Sequence, residues 1–178
     1  YTKYISTEAV YCNDRQLDSG QSWTFTTSPS SQMNYIIHTR LDYDADGAKA
    51  SPTYDCADSH DAFSASNANA KLTYPIGLMT ADEINIAGGL AYNDAPAYYY
   101  LNSAGGSVTG DIYWWSLSPM FWNGYFSGVW DVFGSDAPGG LSYVSYEYGV
   151  RPVISIKADA LRSSGDGSSS SPYEIVYN

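Results

Sequence analysis

The chain has 178 residues, of which 44% are hydrophobic, and this length and composition predict one domain with a single core. Eight Lys and Arg residues stand against 19 Asp and Glu residues, which gives a formal net charge of −11, and no basic residue lies between Lys71 and Arg151. Nucleic acids and anionic membranes bind clustered cations, so this charge balance disfavours both as partners. The high content of Tyr, Gly and Pro favours short strands and turns over long helices.

The two cysteines, Cys12 and Cys56, lack the CxxC spacing of a metal or redox site. We expect a disulfide that joins the N-terminal segment to a later loop, which implies oxidising surroundings; two free thiols are the alternative. No apolar run approaches the roughly 20 residues of a membrane-spanning helix, so membrane insertion is not expected. No charged and then apolar leader opens the sequence, and we therefore expect either a removed leader or the C-terminal part of a larger protein.

The first elements of the chain are predicted to be short. An alternating patch around Trp23 and Phe25 (SWTFTT) predicts one strand, and residues 33–41 (MNYIIHTRL) form the next apolar element. The two histidines, His38 and His60, have no HxxxH partner and no nearby cysteine, so we interpret them as structural or surface residues and not as metal ligands.

An acidic turn follows the second element. Asp42, Asp44 and Asp46, followed by Gly47, reproduce the first half of a calcium-binding loop, in which alternating carboxylates converge on the cation. The second half is missing, because Thr53 stands at the twelfth position, where a bidentate Glu is required. We expect a solvated turn here and keep calcium binding as the alternative.

The clearest helix start lies in the middle of the chain. Residues 72–79 (LTYPIGLM) predict a buried strand near a sheet edge, because an internal proline cannot donate to a strand ladder. Thr80 and Glu83 then have the spacing of a capping box, in which each side chain accepts a hydrogen bond from the other residue's backbone N–H. The helix is predicted to be brief (81–88), because Gly88 and Gly89 provide a stop.

Further strands are predicted from Tyr113 onward. The first begins with residues 113–119 (YWWSLSP), and the last, residues 149–156 (GVRPVISI), is predicted to be a dense core strand. A buried guanidinium must be paired, so Arg151 is expected to contact a carboxylate such as Asp82 or Glu83.

Between Tyr113 and Tyr148 the composition is that of a binding surface. Twelve of these 36 residues are aromatic, against 16% in the whole chain, and Ser, Gly, Asn and Asp are interleaved with them. Tyr and Trp offer wide contact area for few frozen torsions, while the small polar residues supply adaptable hydrogen bonds. The stretch therefore predicts a ligand-binding surface held on a rigid scaffold.

Five short motifs in order, YPIGLMTADE, AGG, YWWSLSP, GVRPVISIKAD and SGDGSSSSPYEI, resemble those of bacterial and phage surface proteins with a C-type-lectin-like fold. That family is related to the formylglycine-generating-enzyme superfamily. The resemblance implies a single mixed α+β domain over residues 1–178, with small twisted antiparallel sheets, short helices and long irregular loops that display the ligand surface. It also implies an extracellular location, on a cell surface or a virion.

The segment from Tyr113 to Tyr148 is also similar to the variable region of diversity-generating-retroelement proteins, in which chosen solvent-facing positions are hypermutated. This implies a displayed, ligand-binding set: Met120, Phe121, Asn123, Tyr125, Phe126, Asp131, Phe133, Ser135, Asp136, Tyr143, Ser145, Tyr146 and Glu147. It implies a framework set: Trp115, Leu117, Pro119, Trp130, Val132, Gly134, Leu141, Val144, Gly149, Arg151 and Pro152. For any single aromatic residue the alternative is that it packs the interior of a loop-rich domain.

The predicted function is a non-catalytic module that binds a protein or glycan ligand without a cofactor. Formylglycine-generating enzymes rely on C-terminal cysteines, and none follows Cys56. Calcium-dependent lectins use Glu-Pro-Asn or Gln-Pro-Asp followed by Trp-Asn-Asp, and neither of these motifs occurs in full. There is no GxSxG or HExxH motif. A lectin, or a carbohydrate-acting enzyme with Asp131 and Asp136 beside a glycosidic bond, remains the alternative.

Overall fold

The computed structural model describes residues 4–20, 33–41, 51–87, 113–133, 137–158, 160–166 and 170–176. Within these ranges, small antiparallel sheets and two short helices give a mixed α+β architecture, as the sequence predicts. The elements in chain order are β1 (Tyr11–Cys12), β2 (Met33–Asn34), α1 (Ile36–Leu41), β3 (Ala62–Phe63), β4 (Gly77–Leu78), α2 (Ala81–Ile86), β5 (Tyr113–Trp122), β6 (Ser127–Phe133), β7 (Ala137–Tyr143), β8 (Pro152–Val153), β9 (Leu161–Ser164) and β10 (Glu174–Val176).

The central sheet has four antiparallel strands in the order β2, β5, β6, β7. Strand β5 organises it, because its side chains alternate in environment: positions 114, 116, 118 and 120 are buried, whereas 113, 115, 117 and 119 are half-buried. A period of two sends successive side chains to opposite faces of a sheet. From Trp114 to Met120 the even-numbered face therefore carries the core, and the odd-numbered face is left for other contacts. The pairing register with β6 shifts between Pro119 and Phe121, and Phe121 is buried in the core as well.

Helix α1 covers one part of the core face. Its buried side chains pack with three buried residues of β5 and β6, and the cluster contains Ile37, Leu41, Met120, Phe121 and Trp130. Full burial of such side chains is worth about 1.5–3 kcal/mol each, so this contact is a main source of stability. It fixes the helix on the sheet.

Helix α2 covers the neighbouring part of the same face, where Ile84 packs with Trp114 and Val132. The buried Ser118 hydroxyl of β5 accepts a hydrogen bond from the backbone N–H of Ala81 at 2.9 Å. The first N–H groups of a helix have no partner within the helix, so a serine on the core face can satisfy one of them. This explains a polar residue at a core position.

The predicted capping box of α2 is confirmed. The Thr80 hydroxyl accepts from the Glu83 N–H at 3.0 Å, and a Glu83 carboxylate oxygen accepts from the Thr80 N–H at 2.8 Å. The helix ends after Ile86, which is shorter than predicted. The predicted stop at Gly88 and Gly89 lies outside the described residues.

The predicted disulfide is present between Cys12 and Cys56, and it ties β1 to the segment that follows residue 51. Strand β1 pairs with β3 in antiparallel fashion, with Tyr11 opposite Phe63. The ring of Tyr11 lies against the backbone of Gly77, where an added Cβ would stand 2.4 Å from ring carbons. Only glycine fits this contact between β1 and β4.

Two strand predictions need correction. Residues 72–79 do not form a buried strand: only Gly77–Leu78 is β-paired, and Tyr74 and Ile76 are 70% and 47% exposed. The pairing partner is β8, in a sheet of two strands, so both strands of this sheet are edges. The proline correctly predicted that this segment lies at a sheet edge, whereas the prediction that the segment is buried was wrong.

Residues 149–156 are not a dense core strand either. Only Pro152–Val153 forms β8, and Val150, Ile154 and Ile156 are 65%, 49% and 48% exposed. The segment runs along the outside of the sheets, so alternate side chains point to solvent. The Arg151 guanidinium lies 5.0 Å from the centre of the Trp114 ring, while Asp82 is engaged elsewhere.

Several predicted features fall outside the described residues. They are the strand around Trp23 and Phe25 and the acidic turn with Asp42, Asp44 and Asp46. The calcium hypothesis therefore remains a sequence-based one.

An ion-pair network connects the two helices. The Arg40 guanidinium of α1 binds both carboxylate oxygens of Asp82 in α2, at 2.9 and 2.6 Å, and contacts Asp14 at 3.0 Å. Asp82 also accepts the backbone N–H of Thr53 at 3.0 Å. Both side chains of the main pair are largely buried, with exposures of 15% and 6%. Arg40 therefore joins the helices to the segment that carries the disulfide.

We expect Arg40→Met to lower the free energy of unfolding by about 3 kcal/mol, because removing one partner of a buried pair leaves an uncompensated carboxylate. Urea unfolding followed by tryptophan fluorescence measures this change. Adding Asp82→Asn to the same chain should restore part of the loss, since it removes the orphaned charge. An Arg40→Met variant that unfolds at the same urea concentration as the wild type would contradict a stabilising role for the buried Arg40–Asp82 pair.

Candidate functional site

The chain crosses the central sheet after β7. The Trp115 N–H donates to the Gly149 carbonyl at 3.0 Å, and the Gly149 N–H donates to the Tyr113 carbonyl at 2.9 Å. These bonds lie on the side of β5 that β6 does not occupy, whereas β7 lies beyond β6. Residues 144–148, the crossing segment, therefore pass from the β7 edge of the sheet to the outer side of β5.

The crossing segment lies over the face that the helices leave open. Tyr148 stacks on Tyr113 with ring centres 4.7 Å apart and contacts Trp115 at 4.6 Å. Tyr113 and Trp115 are odd-numbered residues of β5, on the face opposite the buried Trp114. The Tyr148 hydroxyl lies 3.0 Å from the Ser142 hydroxyl of β7, so this ring spans the sheet.

Six rings form a continuous series, which we call the aromatic row. Its members are Phe126, Tyr143, Tyr146, Tyr148, Trp115 and Tyr113. From Phe126 to Tyr148 successive ring centres lie 4.8, 5.9 and 5.9 Å apart. The Tyr148 ring then contacts both Trp115, at 4.6 Å, and Tyr113, at 4.7 Å. Two members of the row, Phe126 and Tyr146, are 48% and 50% exposed. The row therefore begins at a solvent-exposed end and runs inward to a half-buried one.

The hairpin between β5 and β6 presents the exposed end. The Asn123 side-chain carbonyl accepts the N–H groups of Tyr125 and Phe126, at 3.1 and 2.8 Å. Gly124 has a φ of +93°, a conformation that favours glycine. This turn holds Tyr125, which is 85% exposed, next to Phe126. Asn123 was predicted to be displayed, and its side chain is used within the turn.

A buried carboxylate lies beneath the crossing segment. Asp131 is opposite Trp115 on β6 and only 1% exposed. Its Oδ2 accepts the Ser142 hydroxyl at 2.9 Å, and because Ser142 has one proton to give, the Tyr148 hydroxyl must donate to Ser142. Oδ1 of Asp131 has no hydrogen-bond partner among the described residues. Burial raises the pKa of this carboxyl above its usual 3.8, although the bond from Ser142 acts in the opposite direction.

The predicted displayed residues separate into four groups. Tyr125, Phe126, Ser145, Tyr146 and Glu147 are exposed. Asn123 and Tyr143 are half-buried. The side chain of Phe133, and Ser135 and Asp136 altogether, lie outside the described part. Met120, Phe121 and Asp131 are buried.

For this last group the predicted solvent exposure was wrong. Met120 and Phe121 belong to the core cluster beneath α1, and Asp131 is covered by the crossing segment. The framework prediction also fails at Val144, which is 58% exposed, because it begins the crossing segment. Trp130 and Val132 are buried, as a framework requires.

Sequence reasoning missed two members of the row, Tyr113 and Tyr148, and assigned Trp115 to the framework. The spacing of two between Tyr113 and Trp115, and between Tyr146 and Tyr148, is the signal that could have grouped them. The spacing does not show, however, on which face of the sheet Tyr146 and Tyr148 lie.

A separate open cavity of about 900 Å³ lies near the disulfide. Its polar walls carry charged groups that already have partners within the chain: Arg15 with Asp61, His60 with Asp58, and Asp14 with Arg40. His38 lies near the Trp130 ring, at 6.5 Å between ring centres. In the described ranges no three His, Cys, Asp or Glu side chains are arranged to hold a metal ion. The cavity therefore gives a weaker indication of function than the row.

None of the helices in the described part has the length and hydropathy that a membrane span requires. Comparison of the chain with protein-family models, with curated proteins and with solved structures finds no significant match.

The Asp131 carboxyl generates a pH-dependent prediction. Because its folded pKa is raised, the folded state binds the proton more tightly than the unfolded state, so this group's contribution to stability falls as pH rises above 3.8. Asp131→Asn removes that contribution. We expect the variant to gain stability relative to the wild type between pH 3.8 and neutrality, as measured by thermal unfolding across that range.

Asp18→Asn is the matched control, because hydrogen bonds from Thr39 and from the Ser19 N–H lower the pKa of the exposed Asp18 carboxyl. The ionised Asp18 carboxyl therefore stabilises the fold above pH 3.8, its usual pKa, and this contribution is lost as the pH falls. Relative to the wild type, Asp18→Asn should thus lose stability toward neutral pH. If the stability of the wild type and that of Asp131→Asn change with pH in parallel, the burial of the Asp131 carboxylate is contradicted.

Proposed function

We propose that the chain is a non-catalytic module that binds a protein or glycan ligand, with the exposed end of the aromatic row and Tyr125 as its recognition surface. The observation that supports this is a continuous series of rings in which Phe126 and Tyr146 are 48% and 50% exposed although inner members are packed. Exposed apolar area of this kind usually marks an interaction site.

The geometry suits recognition because the rings are held before a ligand arrives. Phe126 is fixed by the Asn123 turn, and Tyr146 lies between Tyr143 and Tyr148. Tyr and Phe side chains have two rotatable torsions, so little entropy is lost when they are buried against a partner. Interfaces concentrate their binding energy in a few such residues.

We include in this proposal the C-type-lectin-like fold and the likeness to variable proteins of diversity-generating retroelements. The five motifs in order support it, together with the small antiparallel sheets and short helices of the described part. The disulfide agrees with an extracellular place, on a cell surface or a virion. Hypermutation would fall on the exposed members of the displayed set, which are Tyr125, Phe126, Ser145, Tyr146 and Glu147. A template repeat beside the gene that differs mainly at adenines tests this.

The carbohydrate-acting alternative draws no support from Asp131. A general acid or nucleophile must reach the glycosidic bond, whereas this carboxyl is 1% exposed and lies beneath the crossing segment. A lectin that stacks sugars on the exposed rings is compatible with the same surface, and the glycan arm of the experiment below covers it.

The test uses labelled chain on arrays of immobilised glycans and of surface proteins. We expect each ligand that the wild type binds to bind Tyr125→Ala/Tyr146→Ala at least about tenfold more weakly, because both rings are anchors on the surface. The thermal midpoint should not change, since Tyr125 and Tyr146 are 85% and 50% exposed.

Tyr74→Ala/Tyr173→Ala is the matched control. These tyrosines are 70% and 54% exposed but are not members of the row. The control should keep full binding. Equal losses in the two double variants, or full binding by Tyr125→Ala/Tyr146→Ala, would refute the proposed surface.

A further inference from the structure

The charged residues of the segment that forms the aromatic row are all acidic. No Lys or Arg occurs between Lys71 and Arg151, so the whole stretch that forms the row lacks a cation of its own. Glu147 is exposed in the crossing segment, between Tyr146 and Tyr148. Asp131 lies beneath that segment with one oxygen unpaired among the described residues. Between Tyr113 and Tyr148 the charged side chains are thus carboxylates only.

The aromatic rings themselves also favour a positively charged ligand. The face of a ring carries the negative part of its quadrupole, so a cation placed over an exposed Tyr or Phe ring is attracted to it. The attraction grows when a fixed negative charge lies nearby, and it is weakly screened where that charge is buried. An anionic ligand would meet repulsion at the same place.

The chain itself shows this kind of contact. The Arg151 guanidinium, the first cation after the row in the sequence, lies 5.0 Å from the centre of the Trp114 ring. Trp114 faces the helices, on the side of β5 opposite Tyr113 and Trp115. Arg151 is therefore placed on the other face from the row.

Building on the proposed function, we infer that the aromatic row binds a cationic side chain, the guanidinium or ammonium of an Arg or Lys in a basic segment of a partner protein. The cation would lie over the Tyr146 ring with the Glu147 carboxylate beside it. Phe126 and Tyr125 would contact the aliphatic part of that side chain or its neighbours. The complementary charge of the row selects this partner over an acidic one.

A Gly-Arg repeat peptide and a matched Gly-Gln repeat peptide serve as probes, titrated into the isotope-labelled chain and followed by backbone amide shifts. The Gly-Arg peptide should bind at least about tenfold more tightly than the Gly-Gln peptide, and raised salt should weaken it. Tyr146→Ala should reduce the affinity for Gly-Arg about tenfold, whereas Tyr146→Phe, which keeps the ring, should retain it. Glu147→Gln and Asp131→Asn should each reduce it about threefold.

Glu8→Gln and Tyr74→Ala are the controls, since both residues are exposed away from the row. They separate specific binding from general attraction to a chain with a net charge of −11. If Gly-Arg binds the wild type and Tyr146→Ala equally well, the inference is overturned. If the peptide does not bind but an array glycan binds and is lost in Tyr146→Ala, the inference fails while the proposed function stands. If no ligand is found whose binding depends on Tyr146, both the inference and the proposed function are overturned.

Discussion

The backbone pairing of Gly149 with the outer side of β5 is the constraint on which the candidate surface depends. Because the chain leaves β7 on the far side of β6 and must reach that position within six residues, it has to cross the sheet. An added Cβ at Gly149 would stand 3.2 Å from the Tyr113 carbonyl oxygen, so the close approach favours glycine. The crossing brings Tyr146 and Tyr148 to the rings of β5 and β7.

Strand β5 contributes to the helix-facing core with one face and to the aromatic row with the other. Its even-numbered side chains pack under the helices, with Ser118 satisfying a helix N–H that would otherwise lack a partner. Its odd-numbered side chains, Tyr113 and Trp115, support Tyr148 from below. The row also reaches the helix-facing core, because Tyr143, whose ring contacts the exposed Phe126, packs against the cluster beneath α1.

Local features of this chain were predictable from sequence, whereas long-range ones were not, except for the disulfide between its two cysteines. The capping box at Thr80 depends on residues three apart, and its prediction holds. The exposure of Val150 and Ile156 and the burial of Phe121 depend on which edge of which sheet the chain follows. Composition alone does not distinguish an aromatic residue that is buried beneath α1 from one that is exposed in the hairpin turn. The strand that begins at Tyr113 was predicted, but the register that places Asp131 opposite Trp115 was not.

The buried Asp131 carboxylate has a physical consequence for the row. Its desolvation is unfavourable, yet the carboxylate orients the Ser142 proton, and Ser142 then accepts the Tyr148 hydroxyl. A neutral aliphatic residue at this position would remove the desolvation penalty, and it would also leave the Tyr148 ring without a defined hydrogen-bond direction. Tyr148 contacts Tyr146, so the orientation is passed on to an exposed ring. Under the proposed function, a ring held in place before binding would lose less entropy when a partner covers it.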